Sequence, residues 1–479
     1  MSDADNDLSN ADLAPTTLER RTWNLWHIAA LWVGMAVCIP TYTLASGLVD
    51  KGWTWQAAVA SVTLGNFVVL VPMVLNAHAG TRYGIPFPVL VRSSFGTRGA
   101  NLPALMRAFV ACGWFGINTY IGGAALAQMV RVVFMDGVGG TERLPVLGIS
   151  GLELVCFLLF WALQIGILLK GIDSIKMLET WSAPFLLLIG VALLAWAVDA
   201  AGSFSRLLEN PQPRDGVVVA GVGAVLGAGL TTAVSFWGTL ALNIPDFSRF
   251  ARTQRDQIIG QALGLPATMA FFAFIGAVVT NATFIVFGMR ISDPVQLLGR
   301  IGGTGTTLIA MLALLIATLT TNVAANIVGP ANDFSNVNPK KISFKMGCVI
   351  TAIVGLVIMP WRLYNDAAAY LFTWLLGYGA LLGSVGGVMI ADYYFIQKRD
   401  LDVDQLYKRD GKYQYTKGWN PIAVVALFAG ITPNLPGFLS ALGLIKVGDP
   451  WTSIYDWAWF VAFFIAAGVH LVGTRLRGR

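Results

Sequence analysis

Apolar runs of about twenty residues recur along the whole chain, separated by short stretches that hold Lys, Arg, Gly and Pro. An α-helix needs ~20 residues to cross hydrocarbon. Outer-membrane strands are about half that length and alternate in polarity, so these runs are too long and too uniform for a barrel. The punctuation predicts twelve spans, near 25–48, 54–77, 101–130, 150–169, 177–200, 217–243, 258–288, 301–330, 346–361, 367–391, 420–443 and 453–474. Residues 1–24 form a polar tail, 398–419 a charged loop, and 420–479 the last two spans with a short C-terminal tail. The opening MSDADNDLSNADLAPTTLER is polar and acidic, the wrong composition for a cleaved leader, so the first span is expected to insert and stay.

A weak repeat lies under this pattern. VCIPTY in span 1 and LNIPDF in span 6 each carry an Ile-Pro pair, Ile39-Pro40 and Ile244-Pro245, 205 residues apart. The same offset lays Trp114–Asn118 of span 3 over the polar TLTTN stretch of span 8. Each pair is separated by five spans, an odd number, so the halves 25–202 and 217–397 must have opposite orientations. Inverted repeats with broken first helices mark secondary transporters. The expected fold is therefore an all-α integral membrane protein. Its twelve transmembrane helices form a five-plus-five inverted repeat, with helices 1 and 6 broken, plus two C-terminal helices.

Composition narrows the class. The 479 residues are 56% hydrophobic and only 12% charged, against about 25% charged in soluble domains. Soluble, disordered and fibrous readings fail on that ground. The net charge of +6 needs no nucleic-acid partner, because its distribution explains it. Lys and Arg number 22 on the side of the N-tail and even-numbered connections and 9 on the other side, with Arg107 inside span 3. That asymmetry places both termini in the cytoplasm. The four cysteines, Cys38, Cys112, Cys156 and Cys348, fall in or beside apolar spans, so no disulfide framework is expected. Membrane lipid and a small substrate are the expected partners, with no nucleic acid and a monomer sufficient.

Few residues can carry chemistry. Pro40 inside a helix would free carbonyls near Gly34–Val37, which in apolar surroundings need a partner. A cation is one such partner; a kink relieved by hydroxyls such as Thr41 is the other reading. Span 8 holds Thr318, Thr320, Thr321, Asn322 and Asn326 within nine residues. Paired hydroxyls and a carbonyl can complete an oxygen shell for a hard cation. Membrane threonines also bond back to their own helix, and asparagines join helices. Trp114 and Asn118 lie one turn apart and so share a face, offering an aromatic plane beside an amide. That pair suits a flat heterocycle with ring N–H and C=O groups, and Trp237, beside the second break, could supply the opposite plane. Glu179, Asp199, Arg107 and Asp392 sit near span ends, where snorkelling or end pairing is the default. His27, His78 and His470 have no metal-site spacing, and no nucleotide-binding or hydrolase motif is present. No enzyme, primary pump or organic cofactor is indicated.

The runs WNLWHIAALWVGMAVCIPTYTLASGL, ACGWFGINTYIGGAAL, SFWGTLALNIPDFSRFAR, TNVAANIVGPANDFSNVNPKKIS and GGVMIADYYFIQKRDL resemble nucleobase–cation symport family 1. They spread from about residue 23 to 401. The resemblance implies the leucine-transporter fold and cation-driven import of hydantoin, allantoin, uracil or cytosine across a bacterial inner membrane. It also implies substrate aromatics at Trp114 and Trp237 and hydrogen-bonding amides at Asn118 and Asn326. Asn118 and Cys38 stand where the hydantoin transporters have glutamines, and the asparagine is similar to allantoin or purine-type members. The family's sodium shell falls on Gly34, Val37, Ala317, Thr320 and Thr321. Both hydroxyls are present, which favours sodium as the coupling ion. Proton coupling of the same substrates and an amino-acid symporter on this fold are the rivals; the latter needs backbone donors for a carboxylate and no Trp114/Trp237 pair.

Overall fold

The computed structural model describes residues 7–134, 142–168, 172–209, 225–301, 303–359, 361–364 and 373–478. The described residues are helical almost throughout, with only isolated bridges in place of sheet. The first span is two helices, α1 (Leu25–Ala36) and α2 (Ile39–Asp50), bent by 52°. Asn24 starts α1 by accepting from the N–H groups of Trp26 and His27, a side-chain cap that satisfies otherwise orphaned donors. The break falls at Val37 and Cys38, the latter with extended backbone, and Pro40 lies in the first turn of α2. A proline ring clashes with the carbonyl four residues back. Here that carbonyl belongs to Ala36, where α1 ends. Pro40 thus opens the second segment instead of kinking one continuous helix.

α3 (Trp55–Tyr83) and α9 (Gln254–Phe287) are built alike. Each starts at a threonine cap, Thr54 or Thr253, carries an interior proline, and stops at a left-handed glycine, Gly84 or Gly288. Between them run α4 (Asn101–Phe134), α5 (Gly151–Leu168), α6 (Ile172–Ala201), α7 (Leu230–Phe236) and α8 (Gly238–Asn243). After α9 come α10 (Thr304–Asn326), α11 (Val328–Val337), α12 (Phe344–Val357), α13 (Leu376–Ala391), α14 (Pro421–Ile431), α15 (Leu435–Ala441) and α16 (Ala458–Leu476). α1, α2, α3, α7, α8 and α9 pack into one group, and α4, α5, α10, α11 and α12 into another. α6 lies against α1, α9 and α10, and α13 is clasped by α14 and α16.

Several boundaries differ from the sequence reading. Span 8 is longer than 301–330 and is interrupted at Ile327. Pro330 explains this, because it has no N–H to offer the Asn326 carbonyl. Span 6 is interrupted twice, at Trp237 and at Ile244, the latter just before Pro245. Span 9 stops at Val357, short of 361, ahead of Met359 with φ 52°. The starts of spans 6 and 10, at 217 and 367, lie outside the described residues, as does the side chain of Glu179. Among the described residues, eight helices are long and apolar enough to cross a membrane, or nine with the bent pair taken as one span.

From Asp7 onward the N-terminal tail is docked against the helices. Asn10 donates to Ser335 Oγ (2.8 Å), Tyr407 donates to the Leu13 carbonyl (2.7 Å), and Arg249 donates to the Asp12 carbonyl (2.8 Å). Asp7 pairs with Lys340, which holds its carboxyl below the usual range. Of the ionisable residues near span ends, Arg107 and Asp392 are both buried and paired. Arg107 is fully buried and pairs with Asp333 at 2.9 Å, so it does not snorkel. Asp392 lies 3.2 Å from His470. Arg92, counted from sequence as a loop cation, is also buried, bonded to Asn336 Oδ1 and the Leu406 carbonyl.

Candidate functional site

The helix breaks meet at one small cavity. Its walls are Met35, Cys38 and Pro40 from the first break, Trp114 and Asn118 from α4, Phe236 and Trp237 from the second, and Thr321 and Asn326 from α10. Trp114, Asn118, Trp237, Asn326 and Cys38 are therefore brought together, and all five are buried. At about 20 Å³ the cavity is on the scale of one water. A ring-sized ligand requires these walls to part. No acidic or basic side chain lines it.

The aromatic rings form a chain of edge contacts. Trp114 meets Phe236 at 5.3 Å, Phe236 meets Trp237 at 5.0 Å, and Trp237 meets Trp32 at 5.2 Å, each near perpendicular. Phe236 thus stands between the two tryptophans singled out from sequence. Trp114 Nε1 donates to the Tyr378 hydroxyl at 3.2 Å. Asn118 Nδ2 donates to the Trp114 carbonyl at 3.1 Å, while its Oδ1 and Trp237 Nε1 are buried with no protein partner. One acceptor and one donor are left unsatisfied at the cavity, and such groups are costly unless a ligand engages them.

Asn326 is held from behind. Its Nδ2 donates to Asn322 Oδ1 at 2.9 Å, and Asn322 Nδ2 lies 2.7 Å from Gln164 Oε1 and 3.0 Å from the Phe115 carbonyl. Gln164 also donates to Thr119 Oγ1 at 3.1 Å. This network joins α4, α5 and α10. Gln164 escaped the sequence reading, although a mid-span amide in span 4 was as strong a signal as Asn118. Asn322→Ala strips the partner from Gln164 Oε1 and from Asn326 Nδ2, and a loss of about 1–3 kcal/mol is expected. Thermal unfolding of the purified protein measures it.

The predicted cation ligands also converge, unequally. Thr321 Oγ1 donates to the carbonyls of Gly34 (3.1 Å) and Met35 (3.2 Å), across the two helix groups. Thr320 Oγ1 donates back to Ala317 O at 2.9 Å, and Thr318 back to Leu314 O at 2.8 Å. Val37 and Ala317 pack together in one apolar cluster with Phe272. Self-bonding therefore describes Thr318 and Thr320, and Thr321 instead bridges to the broken helix. The donor set, three carbonyls and two hydroxyls, is neutral, oxygen-only and buried, which fits a hard monovalent cation. No group of three or more His, Cys, Asp or Glu suited to a metal occurs among the described residues.

This architecture is an all-helical membrane fold of the leucine-transporter type. Mhp1, described as a nucleobase-cation-symport-1 family transporter, in a closed conformation with bromovinylhydantoin bound, matches with a TM-score of 0.79 at 24% identity, covering 98% of this chain and 96% of that one. The chain belongs to the family of permeases for cytosine/purines, uracil, thiamine and allantoin, whose pattern matches residues 15–462. It is 47% identical over 478 residues to the purine-uracil permease NCS1 of Arabidopsis thaliana, covering 99% of this chain and 79% of that protein. To the allantoin permease of Bacillus subtilis (strain 168) it is 40% identical over 474 residues, 98% of this chain and 94% of that one. It is a transporter, not an enzyme.

Proposed function

We propose that the protein imports a nucleobase-like cyclic amide or ureide of the allantoin, uracil, cytosine or hydantoin class by sodium symport, across a bacterial inner membrane with both termini cytoplasmic. One observation carries this reading: Thr321 lines the ring-bounded cavity and at the same time bonds the carbonyls of the broken first helix. The substrate groups and the cation groups thus share a residue. Trp114 and Trp237 would flank a planar ring once the cavity opens, and Asn118 Oδ1 and Asn326 would bond its amide edge. Gly34, Val37, Ala317, Thr320 and Thr321 would hold sodium, whose charge would tie the α1 break to α10. The names of the relatives, which include purine-uracil and allantoin permeases, support the substrate class. The uncharged cavity wall favours a neutral heterocycle over an amino acid.

Uptake of a radiolabelled heterocycle panel tests the reading. Trp114→Ala and Trp237→Ala should each weaken the transported substrate by ~1–3 kcal/mol, the scale of base–aromatic stacking. Asn118→Leu should abolish substrate affinity while sodium still perturbs intrinsic fluorescence. Normal transport of every heterocycle by the tryptophan variants would reject the aromatic assignment. Loss of both responses in Asn118→Leu would give Asn118 a structural role instead.

A further inference from the structure

A second, larger cavity of about 320 Å³ lies beside the first and shares Cys38 with it. Its walls come from α2, α6, α9 and α10, and neither an acid nor a base lines it. Its deep end is Val37, Cys38 and Ala317, at the level of the helix-1 break. Its other end is Leu298, Ile301, Thr306 and Thr307, where the chain enters α10 on the face opposite the termini. Along α10 the lining runs from Thr306 to Ala317, eleven residue steps, or about 16 Å at the helical rise. One leaflet of hydrocarbon is about 15 Å thick. The crevice therefore runs from one membrane interface to mid-membrane.

Its rims face hydrocarbon. On α6, Leu188 is 68% exposed and Val191 51%; on α10, Ile309 is 66% exposed and Leu312 52%. Polar groups are few: Thr306 and Thr307 lie at the interfacial end, where Arg300 stands exposed with no carboxylate partner among the described residues, and the Cys38 thiol and Tyr42 hydroxyl are the polar groups nearer the break. Water has too few polar partners to fill walls of this kind. We infer that the crevice holds an acyl chain of a phospholipid from the leaflet opposite the termini, with the headgroup phosphate near Arg300. Length, apolar walls, an apolar rim and a cation at headgroup depth all fit that one occupant.

The chain end then rests on Val37 and Ala317. On the cation reading proposed above, these two residues also contribute carbonyls to the ion shell. Acyl-chain length would thereby bear on ion affinity, a consequence that depends on that reading. Occupancy of the crevice does not depend on it.

The test uses the full-length protein in nanodiscs doped with phosphatidylglycerol carrying a diazirine near the chain terminus. After photolysis, peptide mass spectrometry is expected to place label on Ala313–Ala317 and Val37–Tyr42, as well as on lipid-facing positions such as Phe428 and Phe464. Ala310→Phe and, from the opposite wall, Leu193→Trp should each fill the crevice. They should lower the deep labelling several-fold, with labelling at Phe428 and Phe464 unchanged and substrate binding retained as the sign of a folded protein. Label confined to the lipid-facing positions overturns the inference, and so does equal deep labelling in wild type and both filled variants. Deep labelling by an alkyl-tailed hydantoin diazirine but not by the lipid would assign the crevice to the substrate path and overturn it as well. If deep lipid labelling persists where sodium dependence of substrate binding is absent, the lipid site stands and the cation reading fails.

Discussion

Arg107→Leu is expected to destabilise the protein by about 3–5 kcal/mol, the cost of breaking a buried ion pair by removing one partner. Arg107 and Asp333 have no exposed side-chain surface, and their 2.9 Å contact joins α4 to α11. Without the guanidinium, Asp333 is left as an uncompensated charge in a site that water does not reach. A second buried carboxylate, Asp246, feels the field of the same guanidinium. It also accepts from the Phe87 N–H at 3.0 Å and from Asn243 at 3.1 Å. Gly329 is part of the same arrangement, since a Cβ there would overlap the guanidinium. Removing both charges should be far milder than removing one, because two apolar groups of similar shape leave nothing unpaired. Thermal unfolding of Arg107→Leu, Asp333→Leu and the double variant in one detergent forms the necessary cycle. Equal stability of the single variants and wild type would mean that the pair contributes nothing.

The second large effect is on coupling. Thr321→Ala removes the hydroxyl that reaches the Gly34 and Met35 carbonyls from α10. Sodium should tighten substrate binding in the wild type by about 5–150-fold, and reciprocity requires substrate to tighten sodium by the same factor. The variant should lose this enhancement and keep a weak, sodium-independent affinity. Because the proposed ligands are carbonyls and hydroxyls, the sodium effect should change little between about pH 6 and 8. Measuring substrate affinity in sodium, potassium and choline at two pH values decides the matter. Stimulation by low pH and not by sodium would remove the cation assignment and leave the substrate assignment intact.

Much of the candidate site was readable from the chain because helical spacing is local. Trp114 and Asn118 are one turn apart, so a helix puts them on one wall whatever else the protein does. Pro40 demanded an interruption near Ala36, since no helix accommodates its ring four residues beyond a bonded carbonyl. The placement of that interruption at Val37–Cys38, with Pro40 opening the next helix, was less direct. The break after Asn326 has the same kind of cause, Pro330, but a proline at the expected end of span 8 is equally compatible with a simple helix stop.

What the sequence by itself determined is the membrane class, the positions of most spans, the broken first helix and the placing of Trp114 and Asn118 on one helix face. These follow from hydrocarbon thickness, backbone satisfaction and helical period, all of which act within a few turns of chain. Only the tertiary structure decided that Phe236 separates the two tryptophans, that Thr321 and not Thr320 reaches the first break, and that Gln164 and Asn322 hold Asn326 from behind. It alone decided that Arg107 is buried against Asp333 instead of reaching the interface. Each of those outcomes depends on which helix faces lie opposite one another across more than a hundred residues of chain, and no local pattern encodes that.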